Sequence, residues 1–397
     1  MKPYSDIIIH HRFSSSVQKQ SYLLSCNGQY YEASFAIVEL VEELQRHEKE
    51  EAAIGAYVQK KKGKYTPTQV REVIEKFIVP IFRVVPKKRS FLYEKKLFSA
   101  GAIDRFSDTF RFLFHKAYIA VILAGMLTLN VWFFLTTPDL LLFNNKVNFY
   151  MVVGLLVFML ASSFFHELGH ASACKYFGVR HGGIGFGLYL NFPVLYTDVT
   201  EVWKLKRAQR CVVNLAGVYF QSYWLIALLV AFFVTENDIL RYLILIMNLG
   251  FAMTLNPFFK FDGYWIASDL LGVSNLRQRS LELFGYLYRL VSRKPISKKP
   301  YLLQLCPLEK YGLLAYSIVV NAFMGFYFCY VIPMYLYRFV KIFPDAVNEL
   351  ILYLSNRMVP PFALLRNISI QLIFLVLIGY LTYRTVTAFT KRYAKKE

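Results

Sequence analysis

Six stretches of this chain, at roughly 117–136, 148–170, 211–234, 239–258, 311–336 and 368–388, are mainly apolar. Each approaches the length of about 20 residues that a helix needs to cross a bilayer core. In hydrocarbon every backbone N–H and C=O must be satisfied within the structure, which restricts such stretches to helices. The composition agrees: 56% of the 397 residues are hydrophobic and 17% aromatic, against about 45–50% apolar in soluble domains. The expected architecture is an α-helical polytopic membrane protein with about six transmembrane helices.

The formal net charge is +20, and its distribution decides what it means. The basic residues sit at the ends of the apolar stretches and in the loops between them, which suits an anionic lipid surface. No Lys/Arg stripe interleaved with exposed aromatics is present, so the lipid bilayer is an expected partner and nucleic acid is not. The loop around 175–210 carries Lys175, Arg180, Lys204, Lys206, Arg207 and Arg210, and the loop around 260–310 is similarly basic. The loops at 137–147 and 235–238 contain only Lys146. The positive-inside rule then puts both termini, including a basic tail at 391–397, in the cytoplasm of a multi-pass cell-membrane protein. The loop expected at 337–367 runs against this, because Arg338, Lys341, Arg357 and Arg366 fall on the outer side. The five cysteines lack paired or regular spacing and are assigned no chemistry. The first residues do not resemble a secretory signal.

Residues 1–90 hold no segment long enough to span a bilayer and are expected to form a small domain. SYLLSC and QYYEAS flank Asn27-Gly28, a hairpin signature. FAIVELVEELQRH, EEAAIGAYVQKK and TPTQVREVIEKFIVPIF follow with helical spacing, the last opened by Thr66 and Pro67. A hairpin followed by three short helices is an α+β, winged-helix-like arrangement. A basic linker at 91–116 joins it to the membrane domain at 117–390.

The second apolar stretch ends in FMLASSFFHELGHASACKYFGV. His166 and His170, four apart on a helix, lie about 40° apart on one face and can reach one ion. Glu167 falls beside that face, where it can take a proton from a water activated by zinc and directed at an amide carbonyl. The alternative is a polar helix end at the membrane interface. Against it, an ionisable residue inside a span costs about 2.5–3.5 kcal/mol on insertion scales unless a site uses it.

The fourth stretch ends in LGFAMTLNPFFKFDGYWIASDLLG. Pro257 and Gly263 disfavour a continuous helix there, so Asp262 sits at a break. On the expected topology it lies at the depth of the histidine pair. His166, His170 and Asp262 with one open position would make a hydrolytic zinc (Zn2+) centre. Asn256 is either an oxyanion donor or a helix-capping residue. Asp269 has a weaker claim and is expected at the membrane surface.

HELGH within one span and NP-x4-DG in another resemble the site-2 protease family of intramembrane zinc metalloproteases. More narrowly, NPFFKFDGYWIASDLLGVSNLRQRS and LYTDVTEVWKLKRAQRCVVNLAG are similar to the subgroup of peptide zinc metalloproteases found beside peptide-export and modified-peptide systems. The resemblance covers roughly residues 100–390. It implies zinc ligands His166, His170 and Asp262, with Glu167 as the base. Many family members separate the Asn from the Pro, whereas Asn256 and Pro257 are adjacent here. The first domain resembles PqqD-like domains, which implies that it holds a leader peptide as an added strand.

HGGIGFGLYLNFPVLYTDVT alternates and is rich in glycine, as expected of a β-hairpin or re-entrant sheet near the active site. His181 reads as a hairpin histidine rather than a fourth ligand, and Asp198 is given no role. The leading function is an endopeptidase acting on a membrane-associated peptide or membrane-protein substrate, with a peptide exporter or modifying enzyme as partner. Regulated cleavage of a membrane-anchored signalling protein and a non-catalytic partner of an exporter are the competing readings. An intact Glu167 argues against the last.

Overall fold

The structure, a computed structural model, describes residues 3–13, 21–82, 93–138, 140, 149–189, 192–293 and 300–393. The expected boundary near residue 90, the outer loop before the second span and the end of the basic tail lie outside these. Two compact units emerge, one comprising Met1–Gly187 and Pro193–Leu313, the other Leu188–Phe192 and Leu314–Glu397.

The first unit begins with an antiparallel sheet of order β1 (Ile8–Phe13), β2 (Ser21–Cys26) and β3 (Gln29–Ser34). Asn27 and Gly28 turn β2 into β3 with φ of 51° and 70°, the left-handed pair that a two-residue type I′ hairpin requires. Cys26 pairs with Gln29 across that turn. Helices α1 (Phe35–Arg46), α2 (Glu50–Lys60) and α3 (Pro67–Val73) follow, with α3 passing through a π-turn into α4 (Val79–Phe82). Thr66 caps α3 in a capping box with Gln69, satisfying two orphan donors at once. Leu24, Val41, Leu44, Ala53, Ile74 and Ile78 form the core under the sheet. Strand β1, which lacks clean alternation, was not expected from the sequence.

The linker carries structure of its own. Its strand β4 (Glu94–Lys96) pairs antiparallel with β5 (Ile184–Tyr189), and β6 (Phe192–Thr197) completes a sheet of order β4-β5-β6. Helix α5 (Ala100–Thr109) then docks against the end of the second long helix. Lys175 Nζ lies 2.5 Å from Asp104 Oδ1, and Ser107 Oγ lies 3.0 Å from Nε2 of the buried His181. The Lys175 ammonium holds the Asp104 carboxyl below the usual carboxylate range.

Next come α6 (Lys116–Thr136), α7 (Phe149–Tyr176), α8 (Arg207–Thr235), α9 (Asp238–Thr254), α10 (Asp262–Leu271) and α11 (Leu276–Val291). The chain closes with α12 (Pro307–Phe326), α13 (Ile332–Ser355) and α14 (Phe362–Tyr393). Among the described residues five helices are long and apolar enough to cross a membrane: Lys116–Thr136, Met151–Tyr176, Arg207–Thr235, Pro307–Ser355 and Phe362–Tyr380. These helices point to a membrane protein. The expected fourth span corresponds to α9, whose 17 residues end before Pro257. The expected fifth span does not stop at 336. It runs through a π-turn at Tyr327–Val331 into α13, giving 49 helical residues. Its charges at Arg338 and Lys341 are carried on a helix whose apolar residues Phe339, Phe343 and Leu350 recur at helical spacing.

α7 and α8 form the closest helix pair around the site. A Cβ on Gly169 would lie 2.4 Å from the Ala216 carbonyl oxygen, so the two backbones touch there. Small residues permit such approach where lipid gives no hydrophobic drive. Phe165 and Phe220 pack beside it with ring centroids 5.1 Å apart.

On α6 and α9, Asn130 and Asn248 exchange amide hydrogen bonds of 2.7 and 3.0 Å. Leu at either position is expected to cost about 1 kcal/mol of unfolding free energy in micelles, because the partner amide loses its bonds. A double-mutant cycle should return a coupling near 0.6 kcal/mol, typical of interhelical bonds; strictly additive losses would show that the amides do not interact.

Candidate metal centre

α7 brings His166, Glu167 and His170 inward, and the break after α9 delivers Asp262 at the first turn of α10. The break is built locally. Asn256 Oδ1 accepts the Phe258 N–H at 2.8 Å, an Asx-type turn that replaces the helix ladder. A Cβ on Gly263 would lie 2.0 Å from the Leu255 carbonyl oxygen, so the chain folds back onto the end of α9.

The result is a triangle of donor atoms. His166 Nε2 and His170 Nε2 are 3.1 Å apart, and Asp262 Oδ2 lies 3.1 Å from the first and 3.3 Å from the second. Ligands on a tetrahedral ion at 2.0–2.1 Å are separated by about 3.3–3.4 Å. The trio therefore has the spacing of three corners of such a site.

The protons support this. His166 Nδ1 faces Gln221 Oε1 at 3.1 Å, and His170 Nδ1 faces the Val213 carbonyl at 2.7 Å. Both partners are acceptors, which favours a hydrogen on each Nδ1 and turns each Nε2 toward Asp262. The Gln221 orientation is fixed in turn, since its Nε2 donates to Ser162 Oγ at 2.9 Å. Asp262 Oδ2 is enclosed and has no hydrogen-bond donor. Two imidazole nitrogens and a carboxylate oxygen thus converge. A proton on one ring would lie along one line and serve one pair, whereas a cation at the centre serves all three. These residues form a group able to hold a metal ion.

Glu167 is 8% exposed, beside the trio. Among the described residues no basic side chain pairs with its carboxylate. Its carbonyl oxygen accepts from Thr197 Oγ1 at 3.2 Å, which ties the end of β6 to the helix bearing the histidines. Asn256 has a local role in the turn. His181 is engaged with Ser107 and stands outside the group. Asp269 is buried within the protein and stands outside the candidate group. Its carboxylate accepts from Arg210 Nε at 2.7 Å and Asn214 Nδ2 at 3.0 Å.

Sequence reasoning missed α8 as the support of the site. Val213, Gly217 and Gln221 lie along one side of it, and a Cβ on Gly217 would come within 2.3–2.5 Å of the His166 ring. The available signal was Asn214 and Gln221, two amides seven residues apart in an apolar stretch, where polar groups need partners.

The chain is similar to part of a protein of Bacillus subtilis (strain 168). It is 28% identical over 126 residues to the "Putative peptide zinc metalloprotease protein YydH", across 31% of this chain and 50% of that protein. The match spans about half the length of that relative. It supports a zinc metalloprotease family. No family model and no solved structure matches.

Removing an outer-shell partner typically weakens metal binding by about 10–100-fold. Gln221→Leu is expected to do so in a chelator-competition titration. Gly217→Ala should weaken binding further, because its methyl group occupies the space of the His166 ring. Wild-type affinity in both variants would show that α8 does not hold that imidazole.

Proposed function

We propose that this protein is a zinc-dependent intramembrane endopeptidase of the site-2 protease kind. His166, His170 and Asp262 are the ligands and Glu167 is the general base. The observation that carries this reading is the triangle of two imidazole nitrogens and a carboxylate oxygen at 3.1–3.3 Å beside a buried glutamate. Structural zinc sites are closed by four protein ligands, whereas three with a neighbouring base suit hydrolysis. When bound, zinc would supply a Lewis acid for the scissile carbonyl and lower the pKa of a water.

The side chains do the rest. Glu167 takes a proton from the attacking water as the carbon–oxygen bond forms. It returns that proton to the amine nitrogen as the carbon–nitrogen bond breaks, so one water is added across the peptide bond. The NH2 end of the Asn256 amide serves as a donor to the carbonyl oxygen as negative charge develops. The β5–β6 hairpin is re-entrant and lays the substrate out as a strand, since a helix must unwind before its backbone can be cut.

In this reading six spans cross the cell membrane, with α9 as the short one, and both termini lie in the cytoplasm. The substrate is a membrane-associated peptide, the leader of an exported or modified peptide. The N-terminal domain acts in the PqqD-like manner, holding that leader at a strand edge by backbone hydrogen bonds. A peptide exporter or a modifying enzyme works beside it. The name of the Bacillus relative, a peptide zinc metalloprotease, supports the substrate class.

Metal analysis beside cleavage assays on purified protein tests the core of the proposal. Glu167→Gln is expected to retain zinc and lose about 10²–10⁴-fold in rate, the range for a general base. Asp262→Ala should lose both zinc and cleavage. A glutamine variant that still cuts at the wild-type rate would refute the assigned chemistry.

A further inference from the structure

Asp262 is the first residue of a ten-residue helix that follows a break, and it has no side-chain cap to fix it. Something else must set where its carboxylate falls. On α10 the residue two turns further on is Asp269, which a period of 3.6 brings to within about 20° of the same face. Its side chain is buried, and both of its oxygens are used. Arg210 Nε donates to Oδ1 at 2.7 Å and Asn214 Nδ2 to Oδ2 at 3.0 Å. These donors stand on successive turns of α8, so together they fix both the height and the rotation of α10. Arg210 is itself held, its guanidinium lying 4.9 Å from the Trp203 ring centroid. The C-terminal end of α10 is closed by Gly272 at φ 61° and by Ser268 Oγ donating to the Val273 carbonyl at 2.7 Å.

The same helix, α8, carries the Val213 carbonyl against His170 and the Gln221 amide against His166. One rigid element therefore locates both imidazoles and, through Asp269, the helix that bears Asp262. We propose that Asp269 is a positioning residue for the metal centre: clamped by Arg210 and Asn214, it sets the register of α10 on α8 so that Asp262 reaches the two Nε2 atoms. This rests on the metal reading above and adds the means by which the third ligand is placed. A buried ion pair is an inefficient way to gain stability, since apolar packing of equal volume often does as well. A bidentate arrangement does confer a fixed distance and angle, which a coordination site needs.

The test uses the full chain in detergent or nanodiscs, with cobalt(II) as a spectroscopic probe and zinc affinity read by chelator competition. The variants are Asp269→Asn, Arg210→Met, Arg210→Lys and, as reference, Asp262→Ala. Asp269→Asn and Arg210→Met are expected to weaken zinc binding by about 10–100-fold, the range for groups that orient ligands. Their cobalt d–d bands should weaken and shift from those of wild type, toward the loss expected of Asp262→Ala, in samples that still melt cooperatively above the assay temperature. Arg210→Lys, which retains the charge, should recover part of the affinity. If Asp269→Asn does not fold, Arg210→Met reads the same coupling from the α8 side. Wild-type spectra and affinity in both variants, with the wild-type protein binding one metal, would overturn the clamp and leave the metal reading standing. A wild-type protein that binds neither cobalt nor zinc would overturn the metal reading itself, and the clamp with it.

Discussion

The contact of α7 with α8 at Gly169 and Ala216 is the constraint from which the site follows. With a side chain at 169 the helices would stand further apart, because a Cβ there meets the facing carbonyl oxygen at 2.4 Å. At this separation the Val213 carbonyl reaches His170 and the Gln221 amide reaches His166. Gly217 adds the space in which the His166 ring sits. The Nδ1 partners of the two imidazoles are therefore set by how α7 and α8 pack. The chemistry of Nε2 is decided on the far side of each ring.

Much of the site was legible because its residues are local in sequence. HELGH places two imidazoles and a carboxylate on adjacent faces of one helix by spacing alone, and Pro257 with Gly263 announces the break at which Asp262 lies. Asn27-Gly28 fixed the first hairpin in the same way. What could not be read involves groups without a side-chain signature. The partner of His170 is a backbone carbonyl, and any residue at 213 would supply it. Arg210 was counted as one of many positive charges in a cytoplasmic loop, although its guanidinium is committed to Asp269. Strand β4 is three exposed charged residues, with none of the apolar alternation that marks a strand. It exists because β5 offers an edge, a tertiary cause that local sequence does not encode. The extension of the fifth apolar helix was hidden because charges at 338 and 341 look like a membrane boundary, yet they lie on an amphipathic helix that continues.

The linker alters how the two ends of the first unit are connected. The segment between α4 and α6 is paired to β5 at Glu94–Lys96, bonded to Lys175 of α7 through Asp104, and bonded through Ser107 to His181, between α7 and β5. β6, in the same sheet, is tied through Thr197 to the carbonyl of Glu167. A chain of backbone pairs and side-chain bonds therefore runs from the linker to the helix that carries the candidate ligands His166 and His170. Gly183 and Gly185 allow it: a Cβ on the first would lie 2.0 Å from the Phe98 carbonyl, and on the second 2.6 Å from the Tyr196 ring. The glycines that mark this hairpin in the sequence are the points where other parts of the chain press against it.

Polar bookkeeping inside the apolar helices separates the structural groups from the functional ones. Asn130 is satisfied by Asn248, Ser222 by the Val218 carbonyl, Tyr219 by the Leu113 carbonyl and Gln221 by Ser162 and His166. Each of these is a closed account within the protein. Asp262 is different: among the described residues its Oδ2 is the one enclosed carboxylate oxygen without an assigned hydrogen-bond donor, and the atoms facing it are the two imidazole Nε2 atoms. Burying a carboxylate costs several kcal/mol unless a counter-charge is supplied. Ser172 Oγ, Ser317 Oγ and Gln371 Oε1 are also enclosed without a partner, so enclosure alone does not single out Asp262; what does is that its oxygen faces two imidazole nitrogens at 3.1 and 3.3 Å, a set able to hold a metal ion.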